Sequence, residues 1–127
     1  MLGDHPMDVL LLATDLQASR DFYVHKVGLE IVQEKEDAVW FKCGGGSRLA
    51  IGKSTIGTAD EQDQATWRVD DLVAEVAQLR ARGVEILDLD LPDMGIRTVD
   101  GIADVGHAYA AWFVDPGKNS LSILQFK

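Results

Sequence analysis

The sequence is poor in cysteine, poor in positive charge and poor in histidine, and it has no long apolar run. The one cysteine, Cys43, cannot close an internal disulfide, so nothing ties the chain to an oxidising compartment. Lys and Arg number 12 against 21 Asp and Glu, a formal net charge of −9. Without a basic stripe there is nothing to displace phosphate counterions, which excludes nucleic acid as the expected partner. The same deficit excludes an anionic membrane surface, and the acid surplus serves solubility. No apolar stretch is long enough to cross a bilayer. Met1 to Pro6 carry neither a basic n-region nor an apolar h-region, so a cytoplasmic protein is expected. The three histidines are His5, His25 and His107, and none falls on a segment that reads as a strand.

What is present is a plan used twice. Val9 to Ala13 runs into Thr14-Asp15-Leu16, then Phe22-Tyr23, then Gly28-Leu29-Glu30-Ile31. Thr66 to Val69 runs into Asp70-Asp71-Leu72, then Leu79, then Gly83-Val84-Glu85-Ile86. Each copy reads as strand, acidic helix start, amphipathic helix, glycine stop and strand. Asp8–Ala13 is the first strand, and Thr14 with Gln17 fits a capping box. Gly28 ends the helix. Strands are expected over Glu30–Glu36, Ala38–Cys43 and Arg48–Lys53, with turns near Asp37 and at Gly44-Gly45-Gly46. In the second copy Gln64–Val69 is a strand, Asp70 or Asp71 caps a helix with the stripe Leu72, Val73, Val76 and Leu79, and Gly83 stops it. Strands follow over Val84–Leu89, weakly around Arg97-Thr98-Val99, then over Ala108–Val114 and Ser120–Phe126. The order is βαβββ twice, with module one at about 7–53, a linker at about 54–63 and module two at about 64–126.

These motifs carry a resemblance. Thr14-Asp15-Leu16 with Phe22-Tyr23 and Gly28-Leu29, then Val69-Asp70-Asp71-Leu72 with Gly83-Val84, and above all Trp112-Phe113-Val114-Asp115-Pro116-Gly117-Lys118-Asn119 resemble the vicinal oxygen chelate superfamily. That is the fold of glyoxalases, bleomycin-resistance proteins and extradiol dioxygenases. The last motif is similar to the family's aromatic-x-Asp-Pro-x-Gly-Asn, and in this chain the turn lacks one residue or has Gly and Lys exchanged. The resemblance runs from about Met7 to Gln125. It implies an α+β fold in which two βαβββ modules form a cup-shaped mixed sheet with the helices on its outer face. It also implies a homodimer and, in enzymatic members, a divalent metal held by His, Glu or Gln on the strands lining the cup.

Carried over position by position, the implied metal ligands are absent. Asp8 stands where a His is typical. Among Arg48–Lys53 the inward candidates, Leu49 and Ile51 or Ala50, are apolar. Gln64 stands at the third position and Ser122 at the fourth, where Glu is typical. One carboxylate, one amide and one hydroxyl hold zinc, nickel or iron poorly. No cofactor is expected, the alternative being a divalent ion on Asp8 and Gln64.

Other residues suit a ligand. Gln64, Thr66 and Arg68 share one strand face by alternation, opposite Ala65, Trp67 and Val69. Arg68, read as facing inward on a central strand, needs an anionic ligand or an internal salt bridge, with Asp8 a candidate partner. Trp40 and Trp112 are either core or flat walls for a planar ligand. Tyr109 offers a hydroxyl near the mouth, and His107 is the one histidine placed for ligand contact or proton transfer. The expected function is metal-independent binding of a small, partly aromatic organic molecule, as in the drug-sequestering branch of the family. The alternative is a glyoxalase-type lyase, isomerase or dioxygenase with a degenerate metal site; a third reading is a subunit that acts only by pairing with another protein.

Overall fold

A sheet strand presents two faces, and the face that carries a helix becomes the core. The computed structural model describes residues 1–57 and 62–127, so the middle of the expected linker lies outside the described residues. The chain divides into two compact units, each an α+β arrangement built on one sheet.

The first unit contains the described residues up to Gly57 together with the turn Asp115–Asn119. Its strands are β1 (Asp8–Ala13), β2 (Glu30–Lys35), β3 (Ala38–Lys42) and β4 (Arg48–Lys53), in the order β1-β4-β3-β2 with β1 parallel to β4. Helix α1 (Leu16–Asp21) widens into a π-helical stretch over Phe22–Val27, which Gly28 closes at φ 84°. The N-cap is Asp15, whose Oδ1 accepts from the Ala18 backbone N–H at 3.0 Å. The cap therefore falls one residue later than Thr14. A carboxylate beside the positive end of a helix serves the orphan N–H groups well, and Gln17 donates instead to Asp21 at 2.9 Å.

Leu11, Val39, Phe41, Leu49 and Ile51 are buried, and the Tyr23 ring lies 5.6 Å from that of Phe41. The turn Asp115–Asn119 completes this core. The Tyr23 hydroxyl donates to Asp115 Oδ2 at 2.6 Å, and the Asn119 backbone N–H donates to Asp115 Oδ1 at 2.8 Å. Asn119 Nδ2 donates to the Leu12 carbonyl at 2.9 Å. A Cβ on Gly117 would sit 2.5 Å from that same carbonyl oxygen, so the close approach requires glycine.

The second unit contains β5 (Asp63–Arg68), α2 (Leu72–Ala81), β6 (Asp90–Leu91), β7 (Ile96–Val99), β8 (Ile102–Asp104), β9 (Ala108–Val114) and β10 (Ser120–Phe126). The strand order is β5-β10-β9-β8-β7-β6, with β5 parallel to β10. Asp71 caps α2, accepting from Ala74 N at 3.1 Å. Leu72, Val76 and Leu79 are buried, but Val73 is 68% exposed. One residue past Leu72 is a rotation of about 100°, which takes Val73 off the stripe.

Val84–Leu89 is not a strand. Leu87 N donates to the Trp112 carbonyl and Thr98 N to the Leu89 carbonyl, both at 2.9 Å, but Leu89 N turns to the Thr98 hydroxyl. Isolated bonds replace a ladder, and the apolar residues that suggested a strand, Val84 and Ile86, serve burial. The weak strand around Arg97–Val99 proves to be one arm of a hairpin, β7–β8. Its turn residues Asp100 and Gly101 have φ of 52° and 82°, the left-handed pair that a tight hairpin uses.

Candidate functional site

Register decides which side chains share the helix-free face of each sheet. In the first unit Asp8 pairs with Arg48, and Arg48 with Lys42. The next row is Leu10, Ala50 and Trp40. Of the inward candidates, Leu49 and Ile51 or Ala50, the first two lie on the other face, in the core beneath α1, and Ala50 is the one on the helix-free face. The residue beside Asp8 is Arg48, which sequence reading passed over. Its alternation with the small Ala50 and Gly52 was the available signal, since the helix side takes the large apolar partners.

Arg48 donates Nε to Asp8 Oδ1 at 3.0 Å and Nη2 to Oδ2 at 2.6 Å, a two-point ion pair. The hydrogen bond from Arg48 holds the Asp8 carboxyl below its ordinary pKa despite desolvation, and the Arg48 pKa rises through the same bond. Asp8, one candidate partner for Arg68, is held by Arg48 instead. Arg68 is exposed and makes no ion pair among the described residues. It sits on β5, the outer strand of its sheet rather than a central one.

In the second unit Thr66, Ser122 and Trp112 lie in one row across β5, β10 and β9. Thr66 is exposed, and Ser122 is 2% exposed. Trp112 is enclosed: with Ala103 and Ala110 it forms a cluster against which Leu87, Leu89, Ile96, Val105 and Leu124 pack. Its indole N–H donates to Asp63 at 3.2 Å, and Asp63 also accepts from the Ser120 hydroxyl at 3.1 Å. Of the two readings of Trp112, its surroundings are those of a packed residue. Asp63, which sequence reading left in the linker, is what orients it. Trp40 is half-buried on its own face, with Lys35 Nζ 5.7 Å from its ring.

Tyr109 falls on the wrong face for that row. It pairs with Gln125, whose side chain accepts from Leu72 N at 2.8 Å, so both face α2. Alternation along β9 puts Tyr109 opposite Trp112. His107 is exposed, its ring 5.7 Å from Phe126. Trp67 stacks on Phe113 at 6.1 Å.

The donors do not fit a divalent metal. Both Asp8 oxygens are taken by Arg48, and Gln64 Oε1 accepts from Ser120 N at 2.7 Å. Among the described residues no three His, Cys, Asp or Glu side chains gather as a metal would need. A fixed guanidinium already neutralises Asp8, the one carboxylate among the implied ligand positions.

The family model for the Glyoxalase/Bleomycin resistance protein/Dioxygenase superfamily matches residues 4–122. The chain belongs to that superfamily. Solved structures of glyoxalase-type proteins share its fold. A glyoxalase family protein from Enterococcus faecalis has a TM-score of 0.71 at 22% identity, covering 98% of this chain and 99% of that one. Lactoylglutathione lyase from Agrobacterium tumefaciens has a TM-score of 0.66 at 21% identity, covering 97% and 98%. TnmS3, an antibiotic binding protein from Streptomyces sp. CB03234, has a TM-score of 0.63 at 21% identity, covering 97% and 96%. Comparison with the curated proteins gives no match. Identities this low establish the fold and leave the chemistry to the residues. No helix among the described residues is long and apolar enough to cross a membrane.

Proposed function

We propose that this superfamily member binds a small organic molecule with an aromatic part and does so without a metal. The observation that carries the reading is the Asp8–Arg48 pair: at the position where the resemblance implies a metal ligand, the carboxylate is held by a guanidinium at 2.6 Å and 3.0 Å. Sequestration needs affinity and no Lewis acid. Trp40 and Leu10, the latter 74% exposed, offer apolar contact on the same face. The likeness to TnmS3, an antibiotic binding protein, agrees with this reading at the level of fold. Pairing of two copies belongs to the same proposal, and light scattering on the purified protein tests it.

A panel of aromatic metabolites and drugs, followed by thermal shift and tryptophan quenching, tests the function. Binders that quench tryptophan and raise Tm support it. Indifference to the whole panel, or near-stoichiometric divalent metal in protein purified without chelator, overturns it.

A further inference from the structure

The first sheet's helix-free face carries two cations side by side. Arg48 on β4 and Lys42 on β3 are paired in register, with Asp8 beyond Arg48 and Glu30 beyond Lys42. Asp8 uses Nε and one Nη2 hydrogen of Arg48. A guanidinium carries five N–H groups in a plane, so both Nη1 hydrogens and the second Nη2 hydrogen are left for another acceptor, and none is bonded within the described residues. Lys42 and Glu30 are exposed and make no ion pair with each other.

Two residues along each strand, about 7 Å away, lies the row Leu10, Ala50 and Trp40. Ala50 is buried between its two larger neighbours, and Leu10 and Trp40 carry the accessible surface of the row. The spacing from the cations to this apolar row is about the length of an aryl carboxylate.

We infer that Arg48 is a ligand-binding residue whose free N–H edge, braced by Asp8 and flanked by Lys42, receives the carboxylate of an aromatic acid while the ring packs against the accessible edges of Leu10 and Trp40. This rests on the binding function proposed above and names its ligand class. Asp8 keeps the guanidinium plane fixed, so the donors are in place before the ligand arrives. The chain is acidic overall, and this row, with two bases against two acids, is locally neutral, so the free N–H edge of Arg48 and not a net charge draws the carboxylate.

The test is a matched pair of probes, naphthoate and its neutral amide, titrated by calorimetry and by tryptophan fluorescence. Naphthoate is expected to bind at least about tenfold more tightly than naphthamide, as charge-assisted bonds to a planar fork allow. In Arg48→Gln the two should bind within about twofold of each other, and Trp40→Ala should weaken both. Arg48→Gln leaves Asp8 unpaired, so the double variant Asp8→Asn/Arg48→Gln serves as the neutral control, with circular dichroism reporting its fold. Equal binding of both probes by the native chain overturns the role of Arg48 and leaves the binding function standing. Failure of naphthoate to bind overturns this inference, while the wider panel judges the function. A carboxylate preference that survives in the double variant also overturns it.

Discussion

Replacing Tyr23 with phenylalanine should weaken the protein by an amount that shrinks as the solution becomes alkaline. Tyr23 is fully buried, and its hydroxyl donates to Asp115 Oδ2 at 2.6 Å. Phenylalanine fills the same space, so the loss is the bond to a charged acceptor, about 1.5–3 kcal/mol. Asn119 still donates to Asp115 through its backbone and side-chain nitrogens, which argues for a value of about 2 kcal/mol at about pH 8. Burial, then the Asp115 charge and hydrogen bond, push the Tyr23 pKa far above its ordinary 10.0. A raised folded pKa means that the stability is intact below the unfolded pKa and is lost as pH climbs past it, because only the unfolded chain releases the proton. That loss runs at about 1.4 kcal/mol per pH unit. By about pH 11 the native chain has lost about 1.4 kcal/mol to this one group, and Tyr23→Phe has lost nothing to it. The gap between the two should therefore narrow from about 2 to about 0.6 kcal/mol. Urea titrations followed by circular dichroism at the two pH values measure both gaps. A gap that stays constant, or one below about 0.5 kcal/mol at about pH 8, refutes the buried-pair account.

Other outcomes follow from the same geometry. Gly117→Ala puts a Cβ 2.5 Å from the Leu12 carbonyl oxygen and should destabilise by about 1–3 kcal/mol in a urea titration. Lys118 holds φ 66° with a side chain attached, so Lys118→Gly should raise stability by up to about 1 kcal/mol, and a clear loss would mean that the left-handed strain is absent. The Asp8 carboxyl is held below its ordinary pKa by Arg48. Its contribution is full above the unfolded value and fades as pH falls through the lowered one. An NMR titration of the side-chain carboxyl should show the depressed midpoint, which should return to the ordinary range in Arg48→Gln.

The sequence announced its elements better than its faces. Asp8–Ala13, Arg48–Lys53, Ala108–Val114 and Ser120–Phe126 are strands at the expected residues, because each is a dense apolar run between turn residues. Val84–Leu89 has the same apolar character and no ladder, since pairing depends on a partner that local pattern does not reveal. The Asp100-Gly101 pair was a readable hairpin signal that went unused. The site was harder. Whether Leu49 or Ala50 faces the helix is a question of parity, and an error of one reverses every side chain on the strand. Arg48 meets Asp8 across 40 residues of sequence, a neighbour that only register supplies. Trp112 could be wall or core until Asp63 and the leucines around it were seen.

The turn that joins β9 to β10 has a consequence for how the chain is made. Its five residues belong to the first unit, while the second unit takes none of the residues up to Gly57. Tyr23 waits for an acceptor 92 positions downstream. On the ribosome the leading half therefore emerges with its core lacking its closing piece, and it gains that piece only when synthesis is almost over. The two repeats are unequal partners in time as well as in space: the later one matures from its own residues, and the earlier one finishes last.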